Sequence, residues 1–501
     1  YLSGSMLEYV SVNMATTGLQ LSDTSLLLAD HLTIINSDFG IYLQSGSTLK
    51  LYHSVIDQCS FGMYIKNSGS NIIDNCSISS CDIGIFFPSN NISRNNRFTN
   101  NNLSYHRNIA LFMSIGQGNI QNNLIKGNTV AYNNIGLHIG NGGLNDMGLN
   151  MISSNIVQHN DIGIKLSQDA DTLRANLVEL NVTGILLTKA SNNHLINNII
   201  QDNTDWGLTL TDGSSWNYIS TNGIYSNTGG VKVTYKDFKY SVENTFVYNL
   251  LFGNLNEAFL FEAGPQQPLS FNSISGSSDT GVFVNHFETD IHAPLNWWGT
   301  TDTTLIDSLI YDYHDQEIFG EVIYQPIAGA PDTLSPVSRP RMVVKRQAGS
   351  RILVDWIPNT EVDLAGYKAY FGETGENGFI GFIDVEADTT IVFDDLTLSD
   401  PIAVTAYDND ADGFADQPEG HESAYSYALA GPYAGDDTSI CQGENFEINS
   451  ATSLYDQDLQ WSTSGDGSFV DPALLKATYL PGQGDIVSGT VILTPVSYTH
   501  L

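Results

Sequence analysis

The sequence is poor in positive charge, because 19 lysine and arginine residues face 55 aspartate and glutamate residues, for a formal net charge of −36. A surface of this sign repels nucleic acid and anionic membranes, so we expect neither as a partner. Only 15% of the 501 residues are charged, whereas 41% are hydrophobic, which is ample material for packed cores. No apolar run reaches the roughly 18 residues of a membrane-spanning helix, and we expect no membrane insertion.

The acidic residues are unevenly distributed, since residues 331–501 hold 27 of them against 7 basic residues. Together with the length, this division predicts a modular chain of roughly two to four domains. The sequence opens on Tyr1 without a preceding signal peptide, and we expect it to be an internal fragment of a longer protein. Its last six residues, Val496 to Leu501, break the strand pattern before them and resemble translated sequencing adapter.

An internal repeat occupies about the first 300 residues. Four segments (71–87, 123–139, 150–166 and 217–233) align without gaps on an asparagine and on a closing Gly-apolar-x-apolar sequence. Spacings of 21 to 28 residues of this kind are typical of a solenoid protein. The closing glycine, or an alanine in its place, recurs at Gly18, Gly40, Gly62, Gly84, Ala110, Gly136, Gly163, Gly184, Gly207, Gly230, Ala258 and Gly281.

The apolar residues of each repeat lie two positions apart, as in Ile164 and Leu166, which is the period of a β-strand. Asn and Gly tolerate left-handed backbone conformations and therefore mark corners between short strands. The sequence predicts an all-β fold in which residues 1–327 form a right-handed single-stranded parallel β-helix of about 12 turns with a C-terminal cap. Neighbouring turns would stack roughly 4.8 Å apart.

Two columns of polar residues are predicted to stack along this β-helix. Three residues before the recurring glycine lie several asparagines together with Cys59 and Cys81, and eight residues before it lie further asparagines and Cys76. Stacked amides can hydrogen-bond along such a column and satisfy buried corner groups. Cys59 and Cys81 would occupy adjacent rungs, where a thiol ladder or a disulfide are the alternatives. Because Cys441 lies far away in the sequence, the cysteines say little about the redox compartment.

The pattern N-x-I-x-x-N-x-I-x-x-N-x-x-G-I-x-L resembles the pectin-lyase-like right-handed β-helices, and among them the NosD-like and carbohydrate-binding/sugar-hydrolase repeats. The resemblance covers about residues 1–325 and includes Asn296-Trp297-Trp298-Gly299, a tetrapeptide that such helices often carry just past the last turn. It implies the fold but no single function, because the superfamily includes lyases, hydrolases, epimerases and non-catalytic surface proteins. We expect the two tryptophans to cap the open end of the core.

No lyase or polygalacturonase motif is recognisable in the repeat. A lyase would need a base and cations that neutralise a uronate, and a hydrolase would need converging carboxylates. His138 lies at an outward strand position, and we interpret it as a surface residue rather than a general base. The densest acids do not share one position of the repeat, and we interpret them as solvated corner residues: Asp169, Asp171, Asp202, Asp205 and Asp212.

The residue two positions after each recurring glycine is predicted to point outward, because the residues on both sides of it are apolar and inward. Four consecutive aromatic residues of this column would form a stacked strip that suits the apolar faces of sugar rings. Alternatively, a loop covers the strip, or the stacking only stabilises the sheet. The candidate carbohydrate platform consists of Tyr42, Tyr64, Phe86 and Phe112, and the column continues through His138, Lys165, Leu186, Thr209, Lys232, Leu260 and Phe283.

Residues 328–340 are rich in proline and small residues and are predicted to be a linker. Short strands and a buried tryptophan then predict a β-sandwich over residues 341–430. Its sequences RILVDW, GYKAYFG, AVTAYD and ESAYSY resemble a bacterial fibronectin type III domain, although Asp400-Pro401 stands where that family often has an aromatic residue. Residues 431–501 resemble a truncated PKD or immunoglobulin-like domain of bacterial surface proteins exported by the type IX route.

An acidic loop in the first sandwich has the spacing of a calcium (Ca²⁺) site. Residues 408–419 match D-x-[DN]-x-[DN]-G-x5-E, in which alternating acids and one main-chain carbonyl supply oxygen ligands. No helices flank the loop, so it resembles the calcium loops of secreted repeat proteins, and an acidic turn without metal is the alternative. The candidate ligands are Asp408, Asp410, Asp412, Phe414, Asp416 and Glu419.

Together these features predict a secreted bacterial protein, extracellular or on the cell surface and monomeric, that binds carbohydrate or another surface through the β-helix without catalysis. A polysaccharide lyase or glycoside hydrolase and a purely structural stalk are the alternatives. An enzyme would carry clustered acids with Lys or Arg on one outer face, whereas a binding protein would carry the aromatic strip without them.

Overall fold

The computed structural model describes residues 5–88, 92–114, 119–140, 147–276, 281–359, 361, 363–374, 378–409, 421–435, 438–451 and 459–497. Residues up to Pro336 form one compact unit, and a second unit starts at Val337. Within the described ranges both α-helices are short, Thr303–Leu309 and Gln483–Ser488, and no helix has the length and apolar character to span a membrane.

Short parallel strands build the first unit into three sheets. The first sheet has 11 strands: Ser5–Glu8, Leu26–Asp30, Thr48–Tyr52, Ile72–Asp74, Arg97–Thr99, Leu124–Lys126, Met151–Ser153, Thr172–Arg174, His194–Ile196, Tyr218–Ser220 and Thr245–Val247. The second sheet has 12: Ser11–Asn13, Thr33–Ile35, Val55–Asp57, Ser77–Ser79, Asn102–Ser104, Thr129–Ala131, Ile156–Gln158, Leu177–Glu179, Ile199–Gln201, Gly223–Tyr225, Leu250–Phe252 and Ser273–Ser275. The third sheet has 13: Thr17–Leu21, Phe39–Gln44, Phe61–Lys66, Ile83–Phe87, Ile109–Met113, Ile135–Gly140, Ile162–Ser167, Thr183–Thr188, Trp206–Thr211, Gly229–Val233, Phe259–Phe261, Phe283–Asn285 and Ile310–Tyr311.

Each strand pairs in parallel with the equivalent strand one turn later, so the chain coils as a parallel β-helix. Alternate residues such as Ile164 and Leu166 are fully buried, because strand periodicity sends them into one continuous core. The predicted all-β fold is confirmed, and the third sheet has one rung more than the 12 expected. Two further pairs of short strands lie beside the turns: Ile92–Arg94 with Asn119–Gln121, and Tyr235–Lys236 with Lys239–Tyr240.

A ladder of polar side chains stacks at each of the three corners, directly before the strands of each sheet. In a typical rung the backbone N–H and the side-chain amide of Asn123 both donate to Oδ1 of Asn150, at 3.0 and 2.9 Å. The amide of Asn128 also donates to the carbonyl of Phe98 at 2.9 Å, so the buried side chain is fully hydrogen-bonded. Buried amides without such partners would each cost about 1–3 kcal/mol, and the ladders remove that cost at every corner.

Sequence spacing finds only part of these ladders, because turns of different length shift the count from the recurring glycine. The rungs before the third sheet also include His106, whose Nδ1 accepts from the N–H of Cys81 at 3.2 Å, and Asn203. Asn296 of the Asn-Trp-Trp-Gly sequence is the last rung before the second sheet and accepts from the N–H of Asn272 at 2.8 Å. Trp298, two positions later, is 2% exposed and packs on Phe283. The capping role of the two tryptophans stays a prediction.

The three cysteines of the β-helix are free and buried. The thiols of Cys59 and Cys81 donate to the carbonyls of Asp57 and Ser79, at 3.4 and 3.1 Å, and so behave as ladder rungs. If Cys59 loses its proton, the thiol of Cys81 can donate to the thiolate, which lowers the pKa of Cys59 and raises that of Cys81. Of the two alternatives, the structure therefore has the thiol ladder.

The recurring-glycine frame slips by one residue at the last full turn. Phe259 pairs with Phe283 and Leu260 pairs with Val284, so Val282 and not Gly281 takes the glycine position. Phe283 is consequently a fully buried core residue rather than a member of the outward column. After this turn, strands Ile291–His292 and Val322–Ile323 pair with each other beside the cap.

The second unit consists of further β-sheets around two hydrophobic clusters. One cluster, with Trp356 and Val404, lies between two four-stranded sheets, and the other contains Ile448 and Trp461. The four-stranded sheets consist of Thr390–Phe393, Arg351–Ile357, Arg341–Ala348 and Leu429–Ala430, and of Gly378–Glu386, Leu364–Thr374, Ile402–Asp408 and Ser426–Tyr427. Two sheets lie around the other cluster. The three-stranded sheet consists of Phe446–Glu447, Thr478–Leu480 and Ser468–Phe469, and the two-stranded sheet consists of Leu459–Thr463 and Leu493–Ser497.

One rung of the ladder before the first sheet is a carboxyl group where the neighbouring rungs are amides. Asp171 is 1% exposed; its Oδ1 accepts from the N–H and amide of Asn150, and its Oδ2 accepts from Gln168 at 2.6 Å. A carboxylate has no N–H to donate to Oδ1 of Asn193, the next rung, and burial raises the pKa of Asp171 to about 7. The interpretation of Asp171 as a solvated residue is wrong, because at this corner the side chain points inward.

Asp171→Asn is expected to stabilise the β-helix at pH 8 and to change little near pH 4. The wild-type carboxyl has a pKa of about 7 when folded and near ~3.9 when unfolded, so wild type loses about 4 kcal/mol as the pH rises between these values. The asparagine variant does not lose this stability, because its side chain does not ionise. Oε1 of Gln168 has no hydrogen bond in the wild type, and a flip of the Gln168 amide lets it accept from the new asparagine. Thermal unfolding at pH 4, 6 and 8 measures the difference.

Asn198→Asp is the matched control, because it places the same carboxyl in the ladder before the second sheet, where Asn198 is fully buried. This variant should lose stability above about pH 4, in the same direction as wild-type Asp171. Identical pH profiles for wild type and Asp171→Asn would contradict the assignment.

Candidate functional site

The structure brings the four predicted platform residues together on the outer face of the third sheet. Tyr42, Tyr64, Phe86 and Phe112 are direct partners on consecutive rungs, and all four are half-buried. Their ring centroids lie 5.1, 5.5 and 5.5 Å apart in that order. The parallel register of the strands produces this column, because every turn places its outward residue above that of the turn before.

Two further aromatic residues that the sequence reasoning missed widen the column. Phe39 and Phe61 precede the recurring glycine in two of the same turns and stack on each other at 5.3 Å with 9° between their planes. Each also meets the ring of Tyr64 edge to face, at 5.4 and 5.6 Å. Phe39, Tyr42, Phe61, Tyr64, Phe86 and Phe112 together form what we call the aromatic strip.

The ring orientations decide what the aromatic strip can offer a ligand. The pairs Phe39–Phe61 and Tyr42–Tyr64 are nearly parallel, so each ring covers one face of its neighbour. Tyr64 and Phe86 are inclined by 71°, which breaks the stack and presents an edge against a face. Burial, and secondarily Tyr42, raises the pKa of Tyr64, so its hydroxyl group stays protonated and can both donate and accept a hydrogen bond.

The next rung of the same column is His138, and its interpretation as a surface residue is wrong. The imidazole is only 9% exposed and stacks on Phe112 at 4.6 Å. Its Nε2 lies 3.4 Å from Oγ of Ser167. Burial, followed by repulsion from Lys165, lowers the pKa of His138 to about 3, so the ring is neutral at physiological pH.

Lysine side chains follow the aromatic residues along this face. Lys165 is the rung after His138, and Lys232 lies three rungs further on. Burial, and secondarily the charge of Lys236, lowers the pKa of Lys165. Lys232 lies 3.2 Å from Glu262 and 5.7 Å from the ring centroid of Trp206. The outward column of the third sheet thus changes from aromatic residues to one that contains two lysines among Leu186 and Thr209.

The acidic residues that could serve a hydrolase are divided between two corners, with Asp202 and Asp205 between the second and third sheets and Asp171 and Asp212 between the third and first. Asp212 is 7% exposed, contrary to its interpretation as solvated, and lies 3.7 Å from both Lys189 and Lys239. Asp202 follows a strand of the second sheet, and Asp205 is exposed before a strand of the third. Since Asp171 is a ladder rung, these carboxylates do not form one converging pair.

A second aromatic column, also missed, lies at the corner before the third sheet. The rings of Tyr105, Tyr132 and His159 stack at 4.8 Å with interplanar angles of 2° and 6°. Tyr105 and Tyr132 are 61% and 47% exposed. Tyr132 and His159 stand four residues before the recurring glycine, which is the sequence signal that could have revealed them.

Of the six candidate calcium ligands, only Asp408 lies among the described residues. It is 3% exposed, and its Oδ2 lies 3.0 Å from Nδ1 of His421. Calcium binding by this loop therefore stays a prediction. The ligands outside the described residues are Asp410, Asp412, Phe414, Asp416 and Glu419.

Two protein-family descriptions match parts of the first unit. The "right handed beta helix region" matches residues 3–151, and the "periplasmic copper-binding protein (NosD)" matches residues 119–264. These matches confirm the predicted right-handed β-helix with NosD-like repeats. Both matches end before the second unit, so its fibronectin-like and PKD-like domains stay predictions.

Individual relatives are distant. Over 103 residues the chain is 28% identical to Protein bark beetle of Drosophila melanogaster, which is 21% of this chain and only 3% of that protein's length. A mannuronan C-5 epimerase A-module of Azotobacter vinelandii is similar with a TM-score of 0.44 and 12% identity, over 62% of this chain and 91% of its own. A mutant tailspike protein of E. coli bacteriophage HK620, in complex with a pentasaccharide, has a TM-score of 0.46 and 10% identity, over 78% of this chain and 83% of its own.

His138→Phe is expected to stabilise the β-helix at acid pH and to have little effect at pH 7. The imidazole has a pKa of about 3 when folded against ~6.5 when unfolded, so the unfolded chain takes up the proton first as the pH falls. Wild type therefore loses about 3 kcal/mol between pH 7 and pH 4, and a phenylalanine that continues the aromatic column does not. Urea unfolding at both pH values measures this, and an equal acid loss in the variant would contradict it.

Proposed function

We propose that this chain is part of a secreted or cell-surface protein that binds carbohydrate, without catalysis, along the outer face of the third sheet. The observation that carries the proposal is the aromatic strip, in which six half-buried rings occupy four consecutive rungs. Half-exposed rings of this density offer apolar contact area together with the hydroxyl groups of Tyr42 and Tyr64, the combination that sugar rings require.

The lysines of the same face extend the proposal to a glycan that carries anionic groups. Lys165 and Lys232 lie in the same column as the aromatic strip, and Lys236 acts electrostatically on Lys165. Glu262 pairs with Lys232, whereas Lys165 and Lys236 give a local attraction for carboxylate or sulfate groups on a chain with a net charge of −36. A polymer lying along the helix axis would contact both parts of the face.

The second unit fits this proposal if its domains are modules of a kind that surface proteins use as spacers. We infer that residues 341–430 are a fibronectin type III-like domain and residues 431–501 a PKD-like domain, and that the loop from Asp408 binds Ca²⁺ outside the cell. The two β-sandwich-like clusters around Trp356 and Trp461 support two modules. The protein-family matches cover residues 3–264 only, so the two domain assignments and the calcium site are proposals.

The double variant Tyr42→Ala/Tyr64→Ala is expected to weaken glycan binding at least about tenfold, because it removes both hydroxyl groups and the broadest part of the aromatic strip. A glycan array identifies the ligand, and calorimetry on that ligand measures the change. Tyr105→Ala/Tyr132→Ala is the matched control, since it removes another stacked tyrosine pair from the same β-helix. Unchanged binding in the first variant, or equal losses in both, would remove the hypothesis.

A polysaccharide lyase is the second candidate, and the neighbouring His138 and Lys165 favour it over a hydrolase. Burial lowers the pKa values of both side chains, and a base next to a lysine is the combination that elimination on a uronate requires. In an elimination on a uronate, a base would take the proton at C5, the C4–O bond would break, and a C4–C5 double bond would form as the leaving oxygen is protonated. The dispersed carboxylates do not provide the pair that hydrolysis needs.

A screen of uronate polymers for the ultraviolet absorbance of the unsaturated product separates the two candidates. The binding proposal predicts no absorbance change with any polymer that the protein binds. A steady increase that Lys165→Met reduces about 100-fold or more would establish the lyase instead. The Lys189→Met variant, which alters a lysine outside the outward column, is the control for general loss of positive charge.

A further inference from the structure

Two histidines and one aspartate converge at an early corner of the β-helix, between the first and second sheets. Asp30 ends the strand Leu26–Asp30, His31 follows it, and His53 lies one turn later. Oδ1 of Asp30 lies 3.0 Å from Nδ1 of His31 and 2.9 Å from Nδ1 of His53. One ligand atom from each of the three side chains lies within 4.8 Å of the others.

The backbone and the ring stacking hold both imidazoles in this arrangement. His31 and His53 have φ values of 53° and 42°, and their N–H groups donate to the carbonyls of Tyr52 and Asp74 one turn later. Tyr9 stacks on His31 at 4.7 Å, and His31 lies 5.3 Å from His53. The two rings lie on successive rungs with 30° between their planes, and each presents Nδ1 to the same carboxylate.

We propose that Asp30, His31 and His53 bind a divalent transition-metal ion. Imidazole nitrogens suit Zn²⁺, Cu²⁺ and Ni²⁺, and one carboxylate oxygen completes a three-ligand set that leaves the other coordination positions to water. Bonds of about 2.0–2.2 Å in tetrahedral geometry place ligand atoms roughly 3.4 Å apart, so the 2.9 and 3.0 Å contacts need to open by only about 0.4 Å. The side chains of His31 and His53 are 45% and 53% exposed, which leaves room for this adjustment and access for the ion.

Charge also favours a cation at this corner. Both imidazoles are in the hydrogen-bonding range of a carboxylate, and the whole chain has a net charge of −36, which concentrates cations near its surface. Calcium and magnesium are poor candidates because they prefer sets of oxygen ligands. The cluster lies outside residues 119–264, which match the copper-binding NosD description, so that description does not bear on it.

Calorimetric titration of the full chain with ZnCl₂ tests the proposal. We expect one Zn²⁺ per chain, and an affinity that falls about tenfold or more in His53→Asn and in Asp30→Asn. Asparagine is chosen for position 53 because Asn75, one turn later in the same corner column, has a similar φ of 52°, so the backbone is retained. His159→Asn is the matched control, since His159 is also exposed, stacked on a tyrosine and left-handed, with a φ of 54°.

Electron paramagnetic resonance of the Cu²⁺-loaded protein gives an independent test of the ligand set. Wild type should show hyperfine splitting from two equivalent nitrogen atoms, and His53→Asn should show one. Zn²⁺ affinity that is the same in wild type, His53→Asn and Asp30→Asn, or that falls only in His159→Asn, would overturn the proposal. Absence of any Zn²⁺ heat would equally overturn it and would show that Asp30 serves only as a hydrogen-bond acceptor for the two imidazoles.

Discussion

The constraint on which the first unit depends is the pairing of buried polar groups at its corners. Each turn bends three times, and at each bend a backbone N–H points along the axis toward the next turn, where only a side chain can accept its hydrogen bond. At an asparagine rung, the backbone N–H and the side-chain amide both donate to the side-chain oxygen of the asparagine one turn later. Asn123 makes these two hydrogen bonds to Oδ1 of Asn150. Serine and histidine serve at some early rungs because each has an acceptor atom within hydrogen-bonding distance of the backbone N–H of the preceding turn.

This constraint concentrates chemical variety at two kinds of position. One is the outward residue of the third sheet, where the column changes from tyrosine and phenylalanine to histidine and lysine without any change in the backbone. The other is the left-handed residue at each corner, whose side chain projects outward beside a buried ladder. His31, His53 and Tyr132 are of this second kind. The parallel register aligns such residues in columns. Similar side chains at the equivalent position of two or three neighbouring turns are therefore enough to form a cluster on the surface.

The sequence predicted the fold and the platform because both depend on a count from one recurring residue. It placed Tyr42, Tyr64, Phe86 and Phe112 on successive rungs, since each lies two positions after the recurring residue within one strand, a distance that turn length does not change. The same count failed at Val282 and at His106, where the frame shifts by one residue, and His106 still serves as a ladder rung. It could not distinguish a buried from a solvated carboxyl at Asp171, because an aspartate at a ladder position differs from an asparagine by a single atom type. Nor could it find the pairing of Asp30 with His53, which depends on side-chain direction across two turns.

The buried ionisable groups of the β-helix act in opposite directions as the pH falls. Asp171 favours the folded state when it gains a proton, because its pKa is raised to about 7 by burial. His106 and His138 oppose folding in acid, because burial lowers their pKa values to about 4 and 3 and only the unfolded chain is then protonated. Each imidazole is shifted by an amount similar to that of the carboxyl, so the two together outweigh it. Among these three groups the net effect of acid is a loss of stability, and the carboxyl in the ladder moderates the loss that the two histidines cause.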